Sequence, residues 1–231
     1  GNIVAVDSSG ICVDAIPYSS RNFRPHNLVV QTIGGEDHLV VTGRWFVSGG
    51  HKAFYYTRNL TTGHTKQCTR RGPGTNFYNY ILNENTRIAL DPAGEYFYFA
   101  KGDVYGLQLE KVGNNYCPKS YTEKRKYKTD HDATSIPNMH NVSQIEVDPN
   151  DKNIIYITSY DDTKLQKLTI VSDNTLNSEV IRGTESLLNT KEDGDVKFFK
   201  PHGLHVSSSK IWVGDKKPSL QEFDKGSANL T

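Results

Sequence analysis

Pro201-His202-Gly203-Leu204-His205-Val206-Ser207-Ser208-Ser209-Lys210-Ile211-Trp212-Val213-Gly214-Asp215 reads as a short strand, a polar turn, and a second strand closing on Gly-Asp. Leu204 and Val206 share one face, as do Ile211 and Val213 in the returning strand, which is the period of two that a half-buried sheet requires. The serine and lysine turn suits solvent. The chain repeats this layout. Ile88-Ala89-Leu90-Asp91-Pro92-Ala93-Gly94-Glu95-Tyr96-Phe97-Tyr98-Phe99 is one copy, and Ile145-Glu146-Val147-Asp148-Pro149-Asn150-Asp151-Lys152-Asn153-Ile154-Ile155-Tyr156-Ile157 is another. A looser copy runs from Leu28 to Val41.

Taking the turn after each first strand as a marker gives Gly34, Asp91, Asp148 and Ser207, spaced by 57, 57 and 59 residues. A steady period carried by alternating strands marks a repeat fold, and units of this length suit four-stranded propeller blades. The fold class is therefore all-β, a β-propeller. Strands are expected near 28–31, 38–42, 52–58 and 65–70 in the first unit, and near 87–90, 96–100, 104–110 and 120–128 in the second. The third unit gives 144–147, 154–159, 165–170 and 178–182. Opening strands are the most apolar, as expected beside a central axis, and later strands carry the charge of an outer edge. Longer loops are expected at 43–51, 70–79, 111–120, 129–140 and 183–197.

The fourth unit is one outer strand short after Leu220-Gln221-Glu222-Phe223-Asp224. The opening segment, Asn2 to Val13, is itself a hairpin with a Val-Asp turn. Two arrangements follow. The hairpin completes the last blade and closes a four-bladed ring, or the chain is part of a larger, six-bladed propeller. In either case residues 1–231 form a single domain, with approximate blades 23–80, 81–135, 136–195, and 196–231 plus 1–22.

The charge balance, 27 basic against 26 acidic residues, calls for no nucleic acid or anionic membrane. The run Lys124-Arg125-Lys126-Tyr127-Lys128 is followed by Asp130 and Asp132 and reads as a solvated loop, with an anion or glycan contact as the alternative. No apolar run is long enough to span a membrane. The chain starts on Gly1 without a visible signal peptide, which predicts a processed form or a piece of a longer protein. Of three cysteines, Cys68 and Cys117 lie in polar sequence just beyond strands, where loops of neighbouring repeats can meet. One disulfide between them with Cys12 left over is one reading, and three thiols the other. Sequons at Asn59, Asn141 and Asn229 are candidate glycosylation sites, with Asn59 in Asn-Leu-Thr-Thr-Gly the best exposed turn.

Residues 199–224 resemble an NHL-type propeller repeat: Pro201-His202-Gly203-Leu204, then a turn, then Ile211-Trp212-Val213-Gly214-Asp215 and a strand ending in Phe223. Residues 88–110 and 145–170 are looser copies, and Ser207 stands where the family has a turn aspartate. The resemblance implies a ring of blades around a channel, an architecture that serves binding proteins and enzymes alike.

His26, His140 and His202 each stand just ahead of an opening strand, with His140 about two residues out of step. Three imidazoles at the mouth of the axis would make an open zinc-type site. The Pro-His starts at His26 and His202 are similar to those of the zinc-bearing propeller of the peptidyl-hydroxyglycine lyases, which implies a metal-assisted lyase or hydrolase; His140 follows Met139 instead. The alternative is turn histidines bonded to backbone. Thr129-Asp130-His131-Asp132 and Ser159-Tyr160-Asp161-Asp162-Thr163 offer oxygens to calcium but lack the glycine spacing of a dedicated loop. No catalytic residue, Gly-x-Ser-x-Gly elbow or His-Glu-x-x-His helix is identified. Trp45, Tyr55, Tyr56, Tyr78 and Tyr80 serve blade packing or stack on a partner. The sequence thus points first to a secreted, extracellular binding or assembly module without a cofactor, which contacts a protein or glycan through loops on one face. A lyase or hydrolase using zinc is the runner-up, and self-assembly through unpaired blade edges is the third class.

Overall fold

A computed structural model of the chain describes residues 3–6, 9–16, 23–47, 50–68, 87–101, 103–119, 125–127, 142–159, 163–182, 198, 200–216 and 219–225. Every regular element among them is a β-strand. Strands β1 (Ile3–Val6) and β2 (Cys12–Ile16) form an N-terminal hairpin. The first blade is the antiparallel sheet of β3 (Phe23–Ile33), β4 (Glu36–Val47), β5 (Gly50–Asn59) and β6 (Thr65–Cys68), in that order. The third is β12 (Val142–Asp148), β13 (Asp151–Ser159), β14 (Lys164–Ser172) and β15 (Thr175–Arg182).

The second blade runs β7 (Arg87–Leu90), β8 (Tyr96–Lys101) and β9 (Asp103–Val112), and its outer position is divided. Strand β10 (Asn115–Pro118) pairs with the end of β9, and β11 (Arg125–Tyr127) with its beginning. The strand expected at 120–128 is therefore one strand position filled by two short pieces. The loop expected at 111–120 is a two-residue turn followed by β10. The loop expected at 43–51 is likewise mostly strand, since Trp45 pairs with Lys52 and Val47 with Gly50. Gly43 lies within the range read as a loop, but the cross-strand register carries the ladder through it, pairing it with Phe54. The expected loops at 70–79, 129–140 and 183–197 lie outside the described residues.

The fourth blade is β16 (Pro201–Val206), β17 (Lys210–Asp215) and β18 (Leu220–Asp224). The hairpin β1–β2 pairs with itself, and among the described residues no ladder joins it to β18. Closure of the last blade through that hairpin is thus not made by backbone pairing there, and the described part of the blade has three strands.

The four sheets are arranged as the blades of a β-propeller. Their opening strands neighbour one another around the hub: β7 packs between β3 and β12, and β12 packs against β16. Alternation gives each inner blade two apolar faces, and three cores fill the seams. Val40 and Tyr55 meet Leu90, Phe97 and Leu107 between the first two blades. Tyr98 and Val104 meet Ile145, Ile155 and Leu168 in the next seam, and Tyr156 and Leu165 meet Val206, Val213 and Phe223 in the last. Each large side chain buried this way contributes about 1.5–3 kcal/mol before conformational entropy is counted against it.

The marker turns all lie between a first and a second strand, and three of the four, those at Asp91, Asp148 and Ser207, share one hydrogen-bond design. Asp91 Oδ1 accepts from Ala93 N at 2.5 Å, and Asp148 Oδ1 from Asn150 N at 2.8 Å. Ser207 Oγ accepts from Ser209 N at 3.3 Å, the bond matching those of the aspartates, and from Lys210 N at 3.0 Å as well. Adjacent turns then tie the blades together. Gly94 has φ +71°, and a Cβ there would come within 2.7 Å of Ile33 Cγ2. Lys152 Nζ reaches Glu95 at 2.6 Å, and Asn150 Nδ2 donates to Ser208 O at 2.8 Å. Lys225 Nζ meets Asp148 Oδ1 at 2.6 Å.

Candidate functional site

The axis mouth carries less of the expected metal chemistry than the histidine spacing predicts. The β3–β4 register pairs Pro25 with Gly43 and Asn27 with Thr42, which leaves His26 as the extra residue of a β-bulge. His202 occupies the matching bulge of β16, between Pro201 paired with Asp215 and Gly203 paired with Gly214. The bulge of β12 holds Ser143, whose carbonyl accepts from Arg87 Nε at 2.7 Å. His140 and Asn141 lie outside the described residues. Two imidazoles at equivalent bulges are thus placed, and among the described residues no three His, Cys, Asp or Glu side chains are grouped to hold a metal. Of the calcium candidates, Ser159 ends β13 and Thr163 precedes β14, while 129–132 and 160–162 are not described.

A different set of side chains converges on the outward face of the fourth blade. Leu204, Val206, Ile211, Val213 and Phe223 face the third blade, so period two sends the intervening residues to the other side. Register puts His205 opposite Trp212, and Trp212 opposite Glu222, in one row across three strands. The two rings stack with centroids 5.4 Å apart and planes at 22°. Trp212 Nε1 donates to Glu222 Oε2 at 2.8 Å, which fixes the indole. Lys210 Nζ lies 2.9 Å from Glu222 and 2.8 Å from Asp224, on the same face. Hydrogen bonds from Lys210 and then Trp212 hold the Glu222 carboxyl below the usual range. His205 is 68% exposed, so the row is open to solvent. Beside it, Gly203 opposite Gly214 leaves two strands without side chains there, and Leu220, paired with Gly214, stands exposed on the third.

Glu146 enters this row from the neighbouring blade. It stands two residues before the marker turn Asp148, as His205 stands two before Ser207, so the repeat sets the two on adjacent hub strands. Glu146 Oε2 accepts from Val206 N at 2.6 Å and lies 3.6 Å from His205 Nδ1. Burial pushes its carboxyl up to about 7, and the Val206 N–H opposes that rise. A stacked aromatic pair flanked by acceptors, an ammonium and a carboxyl titrating near neutrality can hold a polyhydroxylated ligand by its apolar face and its hydroxyls together.

None of His205, Trp212, Glu222 and Glu146 stands out as a motif in the sequence. The signal that could have found them is parity, because each occupies the polar side of an otherwise apolar alternation. Other expectations fall elsewhere. Tyr55 and Tyr56 are buried, and Tyr55 packs edge-on against Phe97 at 5.1 Å, which is blade packing. Trp45 lies in β4, and Tyr78 and Tyr80 are outside the described residues.

Asn59, expected as an exposed acceptor, is instead 0% exposed. Its Nδ2 donates to Glu36 Oε2 at 2.9 Å and to Asn114 O at 3.2 Å, while its Oδ1 accepts from Thr62 N at 2.9 Å. The amide nitrogen that a glycan would occupy is committed to the seam between the first two blades. Asn229 is not described.

The basic run is also structural in part. Arg125 lies over the Tyr96 ring at 3.7 Å, donates to the Tyr98 hydroxyl, and meets Asp173 Oδ1 at 3.1 Å. Tyr127 Oη donates to Ser172 O at 3.0 Å. These contacts dock β11 on the third blade, where the sequence reads as a solvated loop.

Cys68 and Cys117 form a disulfide with Cα atoms 5.7 Å apart, joining the outer strands of the first two blades. Cys12 is exposed and outside that bond. Among the described residues no helix is long and apolar enough to cross a membrane.

No family model and no curated protein matches the chain. Its fold is similar to a functionally unknown protein from Desulfotomaculum acetoxidans DSM 771, with a TM-score of 0.56 at 10% identity over 100% of this chain and 61% of that one. It is also similar to an auxiliary nutrient binding protein from Bacteroides ovatus ATCC 8483, with a TM-score of 0.54 at 12% identity over 95% of this chain and 49% of that one. The chain therefore spans about half to three fifths of the length of these solved structures, and at such identities the likeness is one of fold.

Proposed function

We propose that this chain is an extracellular β-propeller binding module that holds a glycan on the outward face of its fourth blade. The observation that carries the reading is the row His205, Trp212 and Glu222, an oriented indole beside carboxylates and the Lys210 ammonium. Sugars present an apolar ring face and a rim of hydroxyls, and this row offers a partner for each. The Cys68–Cys117 disulfide supports an oxidising compartment. A nutrient-binding protein among the similar folds is in keeping with a ligand-holding role.

Screening the purified protein on an array of neutral oligosaccharides tests the reading. Trp212→Ala should weaken each glycan it binds by about tenfold, ~1.4 kcal/mol. A silent array, or glycan binding indifferent to Trp212, would remove the glycan and leave a protein partner as the reading to pursue.

The metal-assisted alternative rests on His26 and His202 at equivalent bulges. The described residues supply two of the three donors it needs, so no reaction step is derived from it. Zinc calorimetry decides it: micromolar binding that is lost in a His26→Ala/His202→Ala double variant would restore the enzyme reading.

A further inference from the structure

Glu146 and His205 have a relation to Trp212 that ligand binding alone does not require. They occupy equivalent positions of successive repeats, and the hub brings a carboxyl and an imidazole to 3.6 Å at the edge of the indole stack. The groups around them are otherwise paired. Lys210 is held between Glu222 and Asp224 on the two outer strands, and Lys225 is held by Asp148 at the turn. On β16 itself the other titratable side chain is His202. Glu146 and His205 therefore face one another across the edge of this row, a carboxyl and an imidazole 3.6 Å apart with no other ion pair among the described residues between them and the indole.

We propose that Glu146 and His205 form a proton-operated latch on the binding row. While they share one proton, the imidazolium is held between the Glu146 carboxylate and the Trp212 ring, covering the indole. Loss of that proton leaves a neutral imidazole beside a carboxylate, the attraction is gone, and His205 swings away to expose the indole. The Val206 N–H keeps Glu146 in place in both states. The consequence for the site rests on the glycan reading above: ligand binds more tightly above neutral pH than below it.

The latch can be read without any ligand. An imidazolium stacked on indole quenches its fluorescence, and Trp45→Phe leaves Trp212 as the sole indole of the chain. Emission from that variant should rise with a single transition near neutral pH. Adding His205→Gln should abolish the transition. Adding Glu146→Gln, which keeps an acceptor for the Val206 N–H, should move it down by about one pH unit. Should Trp45→Phe fail to fold, the difference between the parent protein and Trp212→Phe gives the same signal. A transition that survives in His205→Gln, or a Glu146→Gln curve that overlays its parent, overturns the latch. For any glycan found on the array, affinity should be roughly tenfold higher at pH 8.5 than at pH 6 in the parent and flat in His205→Gln. Equal affinities at the two pH values in the parent overturn the gating. A silent array with the fluorescence transition intact removes the glycan and leaves the latch standing.

Discussion

The seam between the first two blades and the outward face of the fourth use the same alternating strands for opposite ends. In the seam the contacts serve structure: Asn59 bonds on three sides, the Tyr55 ring is buried against Phe97, and a disulfide staples the outer strands. On the fourth blade comparable residue types stand in solvent, and their contacts orient rings rather than fill space. The comparison teaches that residue type does not mark a binding face in a repeat fold. What marks it is whether the described residues of another blade pack on the polar side of the alternation.

Breaking the seam should have the largest effect. The Cys68–Cys117 bond closes a span of 49 residues, and removing it in a Cys68→Ser/Cys117→Ser double variant should cost about 4 kcal/mol. Chemical denaturation should show the loss, while the Trp212 fluorescence transition keeps its midpoint. If that midpoint moves as well, the two regions are coupled and the contrast between them fails.

A smaller loss is expected where the third and fourth blades join. Lys225 and Asp148 side chains are 12% and 4% exposed, and Lys225 also donates to Ser207 O at 3.1 Å. Lys225→Met leaves the Asp148 carboxylate short of its cation and should cost about 2 kcal/mol in denaturant midpoint. Because Asp148 and Ser207 belong to adjacent marker turns, glycan affinity should stay within twofold of the parent if this pair serves the scaffold alone.

Smaller again is the turn itself. Ser207→Ala removes the acceptor for Lys210 N and should cost about 1 kcal/mol, whereas Ser207→Asp restores the design of Asp91 and Asp148 and should be close to neutral. Equal destabilisation by both would show that the hydroxyl is not standing in for the carboxylate.

The marker turns show how much of the fold is legible in sequence. Spacing and alternation identify the first and second strands of each blade, because those strands are apolar on a fixed period and end on residues that make Asx-type turns. Outer strands are harder. The fourth position of the second blade is divided because Arg125 is drawn onto Tyr96 and Asp173, a preference set by the third blade and invisible along the chain. The site was least legible. Glu146 and His205 are 59 residues apart and adjacent only because the repeat is wrapped around a hub. Asn59 misleads for the same reason, since Asn-Leu-Thr-Thr-Gly is a turn by sequence and a seam by packing.

His38 in the first seam and Glu146 beside the fourth blade respond to protons in opposite senses. His38, in the first seam, is 1% exposed, stands edge-on to Tyr116 at 5.0 Å, and makes no hydrogen bond through either ring nitrogen. Burial above all lowers its pKa from 6.5; Glu36 and Asp37 oppose that and Lys111 adds to it. A histidine held neutral this way contributes stability that is complete above about 6.5 and is lost as pH falls toward its folded value. Glu146 has the reverse sign: raised from 4.5 to about 7, it contributes stability that is complete below 4.5 and is lost as pH rises through 7. Asp91, also raised chiefly by burial, adds to that second limb. Stability of the parent protein, read as denaturant midpoint against pH, should therefore peak between the two limbs. His38→Phe should flatten the acid limb alone, and Glu146→Gln should weaken the alkaline limb alone. If one substitution alters both limbs, the first seam and the fourth blade titrate as one unit.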